Sequence, residues 1–149
     1  MEEEAGRTQY LLVTHQSPDF DAISAIFTWL FANGKKASDA DISFGFVWPG
    51  KRWTKPCSPN TIVAHFDTGC VYNPKTHDFD HHQKDNHWPS AARAVFESFS
   101  HLHKDTLLRE MIEFTDKVDS ASQMNDEDKV DRDLRKALND QLREINRGR

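Results

Sequence analysis

The sequence has little cysteine, no long apolar run and no excess of basic residues. Cys57 and Cys70 are too few and too far apart for a disulfide framework or a zinc knuckle, so both are expected to be reduced thiols. No apolar run approaches the roughly 20 residues that a membrane span needs. The chain starts Met-Glu-Glu-Glu, which lacks the positive charge of a secretory signal. These absences predict a cytoplasmic protein with no membrane segment.

The charge balance excludes one broad class of partner. The chain has 19 basic and 24 acidic residues, a net charge of −5 with histidine counted as neutral. A nonspecific binder of duplex nucleic acid normally has a basic face. This chain instead fits a protein that needs cations to approach an anionic substrate. It has eight histidines, several of them in the segment from His65 to His87, and that concentration is the first indication of a chemical site.

The 149 residues are enough for one domain with a substantial core. Three apolar segments are predicted as strands: 10–14, 42–47 and 61–66. Helices are predicted between Pro18 and Asn33, over about 90–103 and over about 105–118. Buried strands alternating with helices predict an α/β fold, a mostly parallel sheet flanked by helices, with further helices at the C-terminal end.

The chain is expected to have three parts. Residues 1–9 are predicted as a disordered tail and 10–125 as the main domain. Residues 126–149 are predicted as a charged amphipathic helix with one apolar stripe: Val130, Leu134, Leu138, Leu142 and Ile145. That stripe either packs on the chain's own core or docks a second copy of the chain as a homodimer.

Acidic residues and histidines form three clusters. His15, Asp19 and Asp21 follow the first predicted strand, Asp67 follows the third, and Asp80-His81-His82 forms the last cluster. In open parallel sheets, ligands bind at the C-terminal ends of strands, so we expect all three clusters to converge on one edge. A lone Asp before a helix, such as Asp21, is more often an N-cap than a ligand, and the combination carries the prediction.

The mixture of donor atoms indicates a pair of divalent metal ions. Carboxylates suit hard cations, and the added imidazoles favour Mn²⁺ over Mg²⁺, with Co²⁺ as a further substitute. Asp19 and Asp21, two residues apart, can reach different ions, and the two oxygens of Asp67 can bridge them. Two ions about 3.5–4 Å apart activate a water and neutralise charge on a phosphoryl group.

In these motifs the chain resembles the DHH phosphoesterase superfamily. The stretch His15-Gln-Ser-Pro-Asp19-Phe-Asp21-Ala matches the first motif of the family, although Ser24-Ala25 replaces its usual Gly-Ser. Asp67 in Asp-Thr-Gly matches the second, and Asp80-His81-His82 is the motif that names the family. The stretch from Asp67 to Gln83 looks like a branch whose members resemble exonucleases. The resemblance covers about residues 10–120.

The resemblance implies a role for each residue. His15, Asp19 and Asp67 would hold one metal ion, and Asp21, Asp67, His81 and an Asp of the fourth motif would hold the other. As the fourth-motif residue we favour Asp119, in Val-Asp-Ser-Ala, over Asp116, in Thr-Asp.

His82 would contact the substrate phosphate or leaving group, and Asp80 would orient His81. Arg93, one turn into the following helix, is expected to bind substrate.

The implied activity is metal-dependent hydrolysis of phosphoesters, in nucleotides or at the ends of short oligonucleotides. Hydrolysis of pyrophosphate or polyphosphate is one alternative, and a non-catalytic metal-binding module that needs a partner is another. Enzymes of the superfamily usually have a C-terminal substrate-binding domain with a glycine-rich motif, and the motif is missing here. Either substrate recognition is minimal or another subunit or protein supplies it.

Overall fold

The structure, a computed structural model, describes residues 7–121, 138–141 and 143. Five strands form one mixed sheet in the order β2-β1-β3-β5-β4. The strands are β1 (Gln9–His15), β2 (Ile42–Val47), β3 (Thr61–Phe66), β4 (Tyr72–Asn73) and β5 (Asp78–Phe79). β1 pairs in parallel with β2 and β3, and β3 pairs in parallel with β5, so four strands run in one direction. Only β4 is antiparallel to its neighbour among these strands.

Within residues 7–121, three α-helices flank the sheet: α1 (Phe20–Ala32), α2 (Ala91–Ser98) and α3 (Thr106–Ala121). Side chains cap the first two, because Asp19 accepts a hydrogen bond from the Ala22 amide and Ser90 accepts one from the Arg93 amide. α1 ends at Ala32 and is capped by Asn33, and Gly34 follows with φ at +64°. The α/β class predicted from the sequence is therefore confirmed.

The main core lies between the sheet and the helices, and Trp29 is its largest residue. Trp29 is fully buried and meets Tyr10 and Phe66 edge to face, with ring centroids 5.5 and 6.0 Å away. Phe66 stacks on Phe79 of the adjacent strand at 5.6 Å. These contacts fix the strands that end at the clusters of acids and histidines.

Most element boundaries match the sequence-based prediction, with three differences. The segment 72–88 has no predicted strand, yet it contains β4 and β5, which are two residues each and too short to show a periodicity. The helix predicted to reach residue 103 ends at Ser98 and is followed by a 3₁₀ turn, Ser100–Leu102. β1 begins at Gln9, inside the predicted tail, and residues 1–6 of that tail lie outside the described residues.

Little of the predicted C-terminal helix can be compared with the structure. Of its apolar stripe only Leu138 is described, and Leu138 is buried against Phe20, Met111 and Val118. At this position the stripe packs on the chain's own core, and its other four residues lie outside the described residues. Within the described part of the chain, the helices are too short or too polar to cross a membrane.

Candidate metal centre

The three clusters meet at the C-terminal edge of the sheet. His15 is the last residue of β1, Asp67 directly follows β3, and the Asp80-His81-His82 turn directly follows β5. Because these strands are parallel, their carboxyl ends lie side by side. The convergence expected from the sequence is present in the structure.

Asp67 lies at the centre of the site, and its two oxygens face opposite sides. Oδ2 is 3.2 Å from His15 Nε2, whereas Oδ1 is 3.2 Å from His81 Nε2 and 3.7 Å from His82 Nδ1. The side chain is only 2% exposed. One carboxylate therefore joins two separate groups of donors, which is the geometry of a bridging ligand.

A left-handed turn aims Asp67 between the histidines. Its φ is +58°, a conformation that Asp tolerates better than most residues. Its amide donates to the Phe79 carbonyl across the sheet, and Thr68 Oγ1 donates to the Lys51 carbonyl at 2.7 Å. Strand pairing on one side and a loop contact on the other thus hold the turn in place.

The first half of the site consists of His15, Asp19 and the Oδ2 side of Asp67. His15 Nε2 lies 3.8 Å from Asp19 Oδ1 as well as 3.2 Å from Asp67. His15 Nδ1 faces the Gln16 carbonyl at 3.1 Å, an acceptor that would keep Nδ1 protonated and leave Nε2 to coordinate. Asp19 is 47% exposed, so this half opens to solvent.

The second half of the site surrounds His81 with three carboxylates. His81 Nε2 is 3.1 Å from Asp21 Oδ2, 3.2 Å from Asp67 Oδ1 and 3.6 Å from Asp119 Oδ2. His81, Asp21 and Asp67 are all at least nine-tenths buried, and Asp119 is 16% exposed. This half is the more enclosed of the two.

Asp21 also fixes helix α2, a role that the sequence did not reveal. Its Oδ2 accepts from the Ala91 amide and its Oδ1 from the Ala92 amide, both at 2.9 Å. The N-terminal amides of a helix stabilise a negative charge. The N-cap of its own helix α1 is Asp19, so the N-cap role considered for Asp21 belongs to Asp19.

The two fourth-motif candidates have different surroundings. Asp119 faces His81, whereas Asp116 accepts hydrogen bonds from Ser90 Oγ at 2.6 Å and from Arg93 Nε and Nη2 at 2.9 and 2.7 Å. Asp116 therefore ties α3 to the start of α2. The contacts of Arg93 join it to Asp116 and Glu97, so its expected contact with substrate has no support in this geometry.

Asp80 orients the second histidine of its motif rather than the first. Its Oδ1 is 2.6 Å from His82 Nδ1 and also accepts from the His81 backbone amide, while its Oδ2 accepts from the Cys70 amide. Asp80 is completely buried and His82 is 56% exposed. The buried acid thus holds an exposed imidazole at the mouth of the site, beside Asp67.

The histidines and Asp67 shift one another's ionisation. The hydrogen bond to Asp67 raises the pKa of His15 to about 9. Burial lowers the pKa of His81, but the carboxylates of Asp21 and Asp67 outweigh it and raise it to about 10. Burial raises the pKa of Asp67, yet its contacts with His15 and His81 hold the pKa below its usual range. Without metal, both histidines are therefore cationic at neutral pH.

The pKa values of the three other carboxylates in the proposed ligand groups, Asp19, Asp21 and Asp119, shift in the opposite direction from that of Asp67. Burial, opposed by His81, raises the pKa of Asp21 to about 6. Burial and the charge of Asp21 raise the pKa of Asp119 to about 7. Burial and the charge of Asp67 also raise the pKa of Asp19. Crowded carboxylates of this kind need more positive charge than two imidazoles provide.

The donor atoms fit two divalent ions. His15, Asp19 and Asp67 offer ligand atoms within 4.8 Å of one another, and so do Asp21, His81 and Asp119. His81 Nε2 and Asp67 Oδ1 are buried 3.2 Å apart, yet neither atom makes a hydrogen bond of acceptable geometry among the described residues. One proton on His81 cannot satisfy three carboxylates, whereas a cation between them can. A third group, Asp67, His81 and His82, shares two of these ligands.

A second polar network, which the sequence did not predict, supports the site from the neighbouring loop. Buried Asp78 lies 3.1 Å from His65 Nδ1 and 3.0 Å from Arg52 Nη2, and it accepts from Thr76 Oγ1 at 2.6 Å. The Trp53 amide donates to His65 Nε2. The loop after β2 is therefore anchored to the sheet beside Thr68. The only sequence signal was a histidine in the middle of an apolar strand.

Comparisons of the chain with protein-family models, with curated proteins and with solved structures found no match in any of the three.

Proposed function

We propose that this protein is a metal-dependent hydrolase of the DHH phosphoesterase type, which cleaves phosphoesters at a two-metal centre. The observation that carries this proposal is the position of Asp67 between two histidines. Each of its carboxylate oxygens lies 3.2 Å from the Nε2 atom of a different histidine, His15 or His81. A purely structural ion pair needs one histidine for one buried carboxylate. Two donor groups on opposite sides of one carboxylate are the arrangement that a pair of divalent ions requires.

Two divalent ions, for which the mixed donors favour Mn²⁺, would supply charge neutralisation on the phosphoryl group and an acidified water. The chain's own residues do the rest. His15, Asp19, Asp21, Asp67, His81 and Asp119 form the ligand set. Asp21 remains in place because two helix amides hold it, and Asp67 because its turn is anchored at Thr68.

His82 is the group placed to handle a proton at the leaving oxygen. Its Nδ1 is held by Asp80 Oδ1, a contact that raises the pKa of His82 above its ordinary value. With Nδ1 engaged, the exposed Nε2 is the atom that can donate to a substrate oxygen. The buried, fully bonded Asp80 acts as a positioning residue for that imidazole and does not touch substrate.

The surroundings of the arginines favour phosphoesters over pyrophosphate or polyphosphate. A polyanionic chain needs several cations along its length. Arg93 is occupied by Asp116 and Glu97, and Arg52 by Asp78. Two of the basic groups nearest to the site in sequence therefore already have carboxylate partners. A substrate with one reacting phosphoryl group, such as a nucleotide or a short oligonucleotide end, suits the site better.

The test is hydrolysis of an aryl phosphodiester and an aryl phosphomonoester with Mn²⁺, Mg²⁺ or Co²⁺, and with EDTA. We expect turnover with Mn²⁺ that EDTA abolishes and that Asp67→Asn reduces at least about 100-fold. Asp41→Asn is the matched control, because Asp41 pairs with Lys35 just before β2, at the opposite edge of the sheet. Binding of Mn²⁺ without any turnover would instead support the non-catalytic module that needs a partner.

A further inference from the structure

A cavity of about 350 Å³ is lined in part by the residues that directly follow His81 and His82. Two chain segments line it, residues 70–72 and most of 83–88. Its volume is within the range of small-molecule sites, about 300–1,000 Å³. Nothing in the two-metal chemistry uses these residues, so the cavity requires a separate explanation.

The cavity and the metal centre share one anchoring residue. Asp80 holds His82 with one oxygen and the Cys70 amide of the cavity wall with the other. Gln83, the next residue after His82, lines the cavity and donates from Nε2 to the Asp80 carbonyl at 3.0 Å. The Cα atoms of adjacent residues are about 3.8 Å apart. The wall of the cavity is therefore continuous along the chain with the loop that carries His82.

The aromatic part of the wall is rigid. Trp88 meets Tyr72 edge to face at 5.8 Å, and the Tyr72 hydroxyl shares a hydrogen bond with Ser98 Oγ. Asn86 holds the backbone of Trp88 at both its amide and its carbonyl, at 2.8 and 2.6 Å. Fixed aromatic rings of this kind are the surfaces on which heterocyclic bases stack.

Two buried polar atoms belong to residues that line the cavity, one an acceptor and the other a donor. Gln83 Oε1 and Trp88 Nε1 are buried, and neither has a hydrogen-bond partner within residues 7–121, 138–141 and 143. Gln83 Nε2 is fixed on Asp80, which defines Oε1 as the free acceptor. One unpaired acceptor and one unpaired donor complement the edge of a nucleobase.

The charges of the lining residues make this cavity unsuitable for a phosphate group. Among the described residues that line it there is no lysine or arginine, and Asp85 adds an acidic group. A phosphate is disfavoured in such a pocket, whereas an uncharged heterocycle is tolerated. The metal centre thus suits the charged part of a nucleotide, and the cavity suits its uncharged part.

We propose that this cavity binds the nucleobase of a nucleotide or a short oligonucleotide end, while the phosphate lies at the metal centre. The proposal rests on the phosphoesterase function for the identity of the second half of the substrate. It names the substrate class of that site.

The test is nucleoside binding to the full chain in EDTA, followed by the indole N–H signals of the tryptophans in two-dimensional ¹H–¹⁵N NMR. Trp88→Phe assigns the Trp88 signal. We expect adenosine or cytidine to shift that signal with saturation, and ribose 5-phosphate and inorganic phosphate to leave it in place. Trp48, which is 69% exposed and does not line the cavity, is the internal control. Gln83→Leu should raise the nucleoside dissociation constant at least about fivefold.

The outcomes separate the two proposals, because nucleoside binding in EDTA needs neither metal nor turnover. Hydrolysis with Mn²⁺ but no nucleoside response at Trp88 overturns the base site and leaves the phosphoesterase. Equal shifts at Trp48 and Trp88 also overturn it, since they indicate nonspecific stacking. A saturable Trp88 shift that Gln83→Leu weakens supports the base site, even in a protein that hydrolyses nothing.

Discussion

The paired variants Asp119→Asn and Asp116→Asn should have opposite effects. The first should lose activity and the second should lose stability. Asp119 faces His81 at 3.6 Å, whereas Asp116 ties α3 to Ser90 and Arg93. If Asp119 is a ligand, its amide variant loses at least about 100-fold of metal-dependent turnover, since even outer partners of metal ligands cost 10–100-fold. Asp116→Asn should retain most of that turnover.

In the metal-free protein, Asp119→Asn should be the more stable of the two variants, although it is the less active one. Burial and the charge of Asp21 raise the pKa of Asp119 to about 7, so the unfolded chain releases this proton at lower pH than the folded one. The stability that the protonated form contributes is lost as pH rises from about 4 to 7. Asp119→Asn removes that loss and should be about 2–4 kcal/mol more stable than wild type above pH 7, in EDTA. The gain should shrink towards pH 4.

Asp116→Asn should instead weaken the fold. It removes the charge from hydrogen bonds with Arg93 that join two helices. Charge-assisted hydrogen bonds contribute about 1.5–3 kcal/mol, which for a chain of this size lowers Tm by roughly 5–10 °C.

The assays are urea or thermal unfolding in EDTA at pH 5 and pH 8, and initial rates with Mn²⁺. If Asp116→Asn lost turnover at unchanged Tm while Asp119→Asn kept it, the assignment of the fourth-motif residue would be wrong.

Three further predictions follow from the same contacts. Asp67→Asn should weaken both bound ions together, because each oxygen faces a different donor group; elemental analysis that still finds two tightly held ions per chain would contradict the bridge. Mn²⁺ affinity should rise with pH between about 6 and 9, because metal binding requires neutral imidazoles and contacts with Asp67 raise the pKa of His15 to about 9. Calorimetry in buffers of different ionisation enthalpy should then detect proton release at pH 7, and its absence would count against coordination by histidine. Leu138→Ala should cost about 2–4 kcal/mol of unfolding free energy, because Leu138 is buried against Phe20, Met111 and Val118; an unchanged Tm would show that the C-terminal segment does not support this core.

The sequence predicted the sheet and the position of the site well, for one physical reason. Parallel strands buried on both faces appear as continuous apolar segments, and parallel strands end on the same edge of a sheet. Residues such as His15 and Asp67, which end or follow such strands, are therefore brought together whatever the length of chain between them. The sequence could not reveal β4 and β5, because two-residue strands are stabilised by their neighbours rather than by a pattern of their own.

What the sequence determined by itself is the set of residues that meet at the strand ends: His15, Asp19, Asp21, Asp67, His81 and His82. What only the tertiary structure decided is which group contacts which. Asp116 and Asp119 lie one turn apart on α3. Because α3 packs against α2, Asp116 accepts a hydrogen bond from Arg93, whereas Asp119 faces His81. Likewise the buried Asp80 holds the His82 ring rather than the His81 ring. Helical spacing fixes which residues share a face, whereas the partner on that face belongs to another element, and only packing brings the two together.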